Sequence, residues 1–371
     1  MVIKVTLPDG KIREVVQGTT IEQVAGIISP SLKKSAVAGK INGTPVDLNR
    51  SIDEDSRIEI ITLDSQDGLE VYRHSTAHLM AQAIKRIYGQ TAVKLGIGPV
   101  IQEGFYYDID IEQPLSSDDL AAIEREMERI VQENLPIIRR VVSHQDAKRV
   151  FEELEDPLKL ELIRDLPEDA VITLYEQGEF VDLCRGPHLP STGRIKAFKL
   201  LSVAGAYWRG DSNNKVLQRI YGTSFPKEAQ LTEYLHVLEE ARKRDHRKLG
   251  RELGLFMFSE EAPGMPFYLP KGMTIRTELE DFLREVQNKR DYEEVRTPFM
   301  MNNRMWEQSG HWEHYKDNMY FTQVDETKFA LKPMNCPGHM LIFKNTLHSY
   351  RSCRFGYRNS AKCIAMNSPG L

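Results

Sequence analysis

Hydrophobic and polar positions alternate with a period of two at the start of the chain. Ile3, Val5 and Leu7 share one face of an extended run, and Pro8-Asp9-Gly10 supplies a hairpin turn before a second run over 12–16. A short helix over 20–28 stops before Pro30, and extended segments near 36–41 and 58–63 complete a β-grasp-like roll. Asp64-Ser65-Gln66-Asp67-Gly68 reads as the first linker. From 69 to 88 the period lengthens. Ala77, Met80, Ile84 and Ile87 recur at helical spacing and predict a helix with that stripe buried and His74 and His78 beside it. A charged helix is expected over 117–134, a mixed strand and helix region to 225, and a helix over 227–250 that ends in the basic run Arg242 to Lys248. Ile275, Leu279, Phe282 and Val286 predict a further amphipathic helix, followed by a strand over 294–297 that ends at Pro298. No internal repeat or low-complexity segment interrupts this order.

A length of 371 residues suggests two or three domains at roughly 150 residues each. Charged residues at 28% and hydrophobic ones at 41% describe an ordinary globular chain. No apolar run approaches the ~18–20 residues that cross a bilayer, and the first residues read as a strand rather than a signal peptide. Both point to a cytoplasmic protein with no membrane partner. Four cysteines, Cys184, Cys336, Cys353 and Cys363, form no CxxC pair and argue against a disulfide framework. The net charge of −5 gives no global sign of nucleic-acid binding, so such a function must rest on local basic patches.

The chemistry-bearing residues concentrate in two segments. His74-Ser75-Thr76-Ala77-His78 places two imidazoles on one helix face. Asp182-Leu183-Cys184-Arg185-Gly186-Pro187-His188 offers a carboxylate, a thiol and a third imidazole. Three readings stay open: satisfied core side chains, a zinc site of imidazoles and thiolate, or imidazoles that position water for ester hydrolysis with Asp182 orienting one of them. Ser75 after His74 rules out the glutamate of an HExxH protease. The segment from Gly205 to Ser212, with Tyr207, Trp208 and Arg209, reads either as a nucleotide clamp or as a tight turn with Trp208 in the core. Cys336, between Pro333-Met334-Asn335 and Pro337-Gly338-His339, precedes a helix, and one cysteine alone is no metal site.

Taken together these segments resemble the threonyl-tRNA synthetase family over residues 1–350. Residues 1–63 resemble its TGS domain. HSTAH, DLCRGPH and GAYWRGDSNNKVLQRIYGTSF resemble its editing, or second additional, domain over 64–226. Residues 227–250 match a linker helix, and PGMPFYLPKGMTIRTELEDFLREVQNKRDYEEVRTP, SGHWEHY and PMNCPGH match a class II catalytic core from 251. The resemblance implies an α+β multidomain fold: a β-grasp TGS domain, an α+β editing domain and a partial class II antiparallel-sheet catalytic domain.

It also implies ATP-dependent activation of threonine with Mg, transfer to tRNA(Thr), hydrolysis of mischarged Ser-tRNA(Thr), and a homodimer for the intact enzyme. Serine lacks only the methyl of threonine, worth roughly 1–3 kcal/mol, so a second, hydrolytic site is needed. By resemblance His74, His78, Asp182, Cys184 and His188 build it, with Lys159 a further candidate, while Tyr207, Arg209 and Met334 are expected to bind substrate. Cys336 matches one of three zinc ligands of the synthetic site, the two histidines lying past Leu371. After Ser349-Tyr350-Arg351 the chain departs from the family's motif 2. Permissible codons allow one inserted base to restore that motif, so 352–371 is expected to be a frameshifted tail on a prematurely ended chain, with aminoacylation lost and editing retained. The rival functions are a free-standing aminoacyl-tRNA deacylase and a non-catalytic TGS-type RNA-binding module.

Overall fold

Alternation at the start of the chain becomes a hairpin. In the computed structural model, which describes residues 1–352 and 356–359, Val2–Thr6 pairs antiparallel with Ile12–Val16. The sheet continues, in order, through Ser56–Thr62, Ala36–Ile41 and Thr44–Asp47, with Val2–Thr6 and Ser56–Thr62 parallel. The helix Ile21–Ile28 starts at a capping box, in which Thr20 accepts from the Gln23 amide and the Gln23 side chain accepts from the Thr20 amide. Its Ile21 and Val24 pack with Ile3, Val5, Val15 and Ile58 in the core of the roll.

Residues 64–68 are not a linker. Ser65 accepts the Gly68 amide at 3.1 Å and caps a helix that runs from Gln66 to Tyr88. The polar composition that suggested a loop is N-cap chemistry. Gly68 lies so close to the roll that a Cβ would stand 1.9 Å from the Thr62 carbonyl oxygen. Val37, Ala38 and Ile61 of the roll share one core with Val71, Ala77, Met80 and Ile84 of this helix, and Met1–Ala241 forms one compact unit. The helix is buried nearly all round from Val71 to Lys85, wider than the stripe the spacing predicts, because elements pack on more than one side. Ile87, expected in the stripe, is 40% exposed on the final turn.

Against this helix stands a sheet of Ala197–Tyr207, Val216–Phe225, Gly104–Asp110 and Lys94–Leu95, with Val100–Ile101 also paired to Gly104–Asp110. The charged helix Ser117–Glu133 ends at Asn134, whose φ of 51° is left-handed. A smaller antiparallel sheet orders Ile137–Val142, Ile172–Gln177 and Phe180–Leu183, and the helices His144–Glu153 and Pro157–Arg164 lie between its first two strands in sequence.

The second unit is Arg242–Leu371. The helix expected over 227–250 is divided into Glu228–Lys243 and His246–Glu252, because Asp245 accepts the Arg247 and Lys248 amides and caps a new start. The helix Pro270–Asn288 forms, but Ile275, Leu279 and Phe282 on its apolar face remain 49%, 60% and 61% exposed. The strand read over 294–297 is instead Tyr292–Glu294, parallel to Gly356–Arg358, and Val295 then donates its amide to the Arg358 carbonyl. Two further short sheets join Phe256–Met257 to Phe267–Tyr268, and Met300–Asn302 to Thr327–Leu331 and Phe321–Val324. The expected frameshifted tail, 352–371, lies largely outside the described residues. Among the described residues no helix is long and apolar enough to cross a membrane.

A side chain at position 68 must separate the roll from the long helix. Gly68→Ala is expected to destabilise the first unit by about 1–3 kcal/mol, and hydrogen exchange should show Val2–Thr6 and Gln66–Tyr88 losing protection together. Loss confined to one of the two segments would contradict a shared core.

Candidate functional site

One turn apart on the long helix, His74 is half-buried and His78 is 3% exposed. The strand Phe180–Leu183 delivers Asp182 and leads into a loop fixed at its start by the Cys184 amide, which donates to the Thr173 carbonyl at 3.2 Å. The loop turns at Gly186, where φ is 70° and a Cβ would meet the Tyr175 hydroxyl at 1.8 Å, so glycine is required twice over. His188 then returns to the helix. His74 Nε2 lies 3.2 Å from Cys184 Sγ and His188 Nε2 lies 3.3 Å from it. One donor atom from each of His74, His78, Cys184 and His188 falls within 4.8 Å of all the others.

The proton positions follow from the neighbours. Ser75 Oγ has one proton, given to the Val71 carbonyl at 2.8 Å, and accepts the Leu189 amide at 2.9 Å. Its 3.3 Å contact with His188 Nδ1 is then a ring N–H donating to the hydroxyl oxygen, which leaves the His188 Nε2 lone pair facing Cys184. His78 Nδ1 is buried without a hydrogen-bond partner among the described residues.

Asp182 is 1% exposed and does not hold an imidazole by a hydrogen bond, contrary to the role expected of it. His78 Nε2 stands 3.6 Å from its carboxylate, beyond hydrogen-bond length. Its partners are Lys159 Nζ at 2.6 Å and the Leu183 amide at 2.8 Å on one oxygen, and the Tyr107 hydroxyl, which donates to the other. Lys159 comes from the helix Pro157–Arg164, whose N-cap, Asp156, accepts the Leu95 amide at 2.9 Å and so ties that helix to the larger sheet. Tyr107 was not singled out in the sequence. Its signal was the alternation of Phe105, Tyr107 and Ile109, all buried, which sets a phenol on an inward face.

Burial sets the charge state. Desolvation pushes His74 down to about 4 and His78 down to about 3, against the pull of Asp182, and puts His188 well below its ordinary value. Desolvation likewise pushes the Cys184 thiol up to about 12. Burial alone would raise the Asp182 carboxyl, but Lys159 and His78 outweigh it and hold it below the usual carboxylate value. The site at neutral pH is therefore three neutral imidazoles and a protonated thiol beside a charged pair. It opens on a cleft of ≈ 380 Å³ lined by His74, Arg185, Gly186 and Pro187 and, from the roll, by Thr44 and Pro45.

Within the same unit, Tyr207 and Arg209 are not among the side chains of the cluster. Trp208 is core, packed with Leu158 and Leu217. Tyr207 is 47% exposed at the end of its strand, and Arg209 pairs with Glu161 at 3.1 Å and Asp165 at 2.6 Å. Met334 and Cys336 belong to the second unit, with Cys336 exposed and free at the start of the helix Cys336–Lys344. Among the described residues no group of three metal-capable side chains forms around Cys336.

Residues 3–62 match the family model "TGS domain", and residues 172–221 match "Threonyl and Alanyl tRNA synthetase second additional domain". Over 94% of its length the chain is 63% identical to "Threonine--tRNA ligase 2" of Bacillus subtilis, covering 54% of that protein. It is 56% identical to the "Threonine--tRNA ligase" of Desulforamulus reducens and to that of Clostridium novyi, over the same share of the chain and 55% and 54% of theirs. The resemblance to the threonyl-tRNA synthetase family, read above from separate motifs, thus extends over 94% of the chain. The chain spans about half the length of the curated relatives it matches.

Imidazoles that resist protonation when folded make stability depend on pH. In the unfolded chain they bind protons near 6.5, and in the folded chain His74 and His78 bind them at about 4 and about 3. The unfolded state holds more protons between these values, so stability falls as pH is lowered from about 6.5 towards 4. The loss is about 1.4 kcal/mol per imidazole for each pH unit over which only the unfolded form is protonated. In chelator-treated protein the melting temperature should decline across this window, and His78→Gln should flatten the decline. A flat profile for the unaltered chain would refute the assignment.

Proposed function

We propose that this chain, as part of a threonyl-tRNA synthetase, hydrolyses the ester of serine wrongly attached to tRNA(Thr). The observation that carries the reading is the convergence of His74, His78, Cys184 and His188 on one point beside the Lys159–Asp182 pair, with His74 lining a cleft. Two imidazoles and a thiol have lone pairs or a proton to offer a water molecule, and neutral imidazoles can accept its proton at pH 7. The water oxygen attacks the ester carbonyl carbon as its proton passes to an imidazole. The ribose oxygen then leaves and recovers that proton, giving free serine and intact tRNA. Lys159 supplies positive charge where the carbonyl oxygen becomes anionic. Arg185, exposed at the cleft wall, is placed to meet a phosphate of the incoming strand.

A cysteine nucleophile is the weaker route, because burial holds the Cys184 thiol protonated. A second reading is favoured by the donor set. Three imidazoles and a thiol within 4.8 Å suit zinc, and an ion held by three of the four would keep an open position for an activated water at neutral pH. The water-positioning reading is preferred, because the Lys159–Asp182 pair already provides charge beside the cluster.

For the intact enzyme we propose ATP- and Mg-dependent activation of threonine, transfer to tRNA(Thr), a homodimer and a cytoplasmic location. The synthetic-site zinc is not fitted by Cys336 alone, and no step is derived through it. A free-standing deacylase has no use for the segments that resemble the class II core. A purely RNA-binding module has no use for the buried cluster.

The purified chain is expected to hydrolyse Ser-tRNA(Thr) in preference to Thr-tRNA(Thr). His74→Ala, Cys184→Ala and Lys159→Met should each lower kcat by about 10²–10⁴-fold with tRNA affinity retained. Full hydrolysis by His74→Ala and Cys184→Ala would refute the site. One zinc per chain, together with loss of hydrolysis on chelation, would replace water positioning by the metal reading.

A further inference from the structure

We propose that Asp47, at the end of a strand of the amino-terminal roll, is a positioning residue for the hydrolytic site. The inference rests on the function proposed above and extends its machinery to a module outside the family's editing domain. Asp47 is 9% exposed, and both of its carboxylate oxygens are engaged. Oδ1 accepts the backbone amide of His188 at 2.9 Å. Oδ2 accepts the hydroxyl of Tyr175 at 2.7 Å. Tyr175 stands on the middle strand of the small sheet, its ring 4.5 Å from that of His188 and its hydroxyl against Gly186.

One carboxylate therefore ties together three things: the roll, the sheet that supports Asp182, and the loop that carries Cys184 and His188. The loop's conformation sets the 3.3 Å approach of His188 Nε2 to Cys184 Sγ, and its position sets the 3.2 Å approach of that sulfur to His74 Nε2 on the long helix. Within the site the His188 ring also meets Ser75 Oγ and Cys184 Sγ, each at 3.3 Å, and packs against the rings of His74 and His78, but those contacts hold the side chain and leave the backbone of the loop to Asp47. Without Asp47, two buried donors, the His188 amide and the Tyr175 hydroxyl, lose their acceptor, and the loop gains freedom to move away in search of another. Thr44, Pro45 and Ile61 of the roll also wall the cleft beside His74. The roll thus supplies part of the wall and one anchor of the site, in addition to whatever RNA it meets.

The test compares Asp47→Ala, Asp47→Asn and Tyr175→Phe in the 371-residue chain, with melting temperature recorded for each. Displacement of the loop by about an ångström is expected to lower kcat for Ser-tRNA(Thr) by about 10²-fold in Asp47→Ala, with KM little changed. Asparagine keeps an acceptor for the His188 amide and should restore most of kcat, while Tyr175→Phe should fall between.

A second readout does not depend on catalysis. Iodoacetamide labelling of the peptide that contains Cys184, followed by mass spectrometry, should be faster in Asp47→Ala than in the unaltered chain, because a looser loop further exposes a thiol now half-buried. Unchanged kcat and unchanged labelling in Asp47→Ala would overturn the proposal. Equal loss in Asp47→Ala and Asp47→Asn, tracking the fall in melting temperature, would also overturn it and leave a merely structural role. If the unaltered chain fails to hydrolyse the ester, the functional reading fails, and the labelling comparison still decides whether Asp47 holds the loop.

Discussion

A carboxylate that is 1% exposed can remain charged only if a cation is brought to it, and the site is arranged around that requirement. Asp182 meets Lys159 at 2.6 Å and takes a proton donor from Tyr107 on its other oxygen. Those three residues come from the small sheet, a short helix and the large sheet, so satisfying one buried charge fixes three elements relative to one another. Removal of one partner from such a pair costs about 3–5 kcal/mol, because the other is left uncompensated. The imidazoles stand inside the frame this pair defines. They stay neutral because the same burial that makes the pair necessary also resists any further charge.

Neutrality in turn limits the chemistry. A thiol pushed up to about 12 is a poor nucleophile at neutral pH, yet it can donate one proton to one of the two imidazole nitrogens beside it. The imidazole that does not receive it keeps its lone pair for a water molecule. A bound metal would invert this logic by drawing the thiol to its thiolate form, which is why metal content and not sequence divides the two hydrolytic readings. On the proposed function, discrimination between serine and threonine asks little of the site chemically. It must admit the smaller side chain and crowd the larger by one methyl, a difference of roughly 1–3 kcal/mol, which the synthetic step alone cannot turn into accurate translation.

Much of the fold was legible where one periodicity governed one element. The hairpin at Pro8-Asp9-Gly10, the strand Ala36–Ile41 and the charged helix Ser117–Glu133 follow directly from alternation, turn residues and amphipathicity. Within the site, His74, His78, Cys184 and His188 were legible because their residue types are costly to bury without a purpose. Tyr107, Ser75 and Asp47 were not. Each is an ordinary polar residue whose role comes from a partner 75, 113 or 141 positions away in the chain. Local pattern carries no information at that range. The supposed linker at 64–68 was an error read from composition, since the same polar residues serve as an N-cap, whereas at Trp208 composition left a clamp and a core turn open and packing against Leu158 and Leu217 selects the core.

The boundary between modules is where sequence and structure differ most in consequence. Family matches treat residues 3–62 and 172–221 as separate stretches, which suits domains that recombine. In this chain Val37, Ala38 and Ile61 of the first stretch lie in the core that Leu200 and Ile220 of the second region complete. A glycine at 68 is required because the start of the long helix lies against the Thr62 carbonyl at the end of the roll. Packing this close makes the relative position of roll and editing module a fixed quantity rather than a matter of linker length. A fixed position is the condition under which a carboxylate on one module can hold the Cys184–His188 loop on the other. Had residues 64–68 been flexible, Asp47 could not serve as an anchor, because the entropy of bringing it to His188 would offset the hydrogen bonds it makes. The continuous helix start at Ser65 removes that cost before the site forms, and so a capping serine with no part in the chemistry is among the residues that make the chemistry possible.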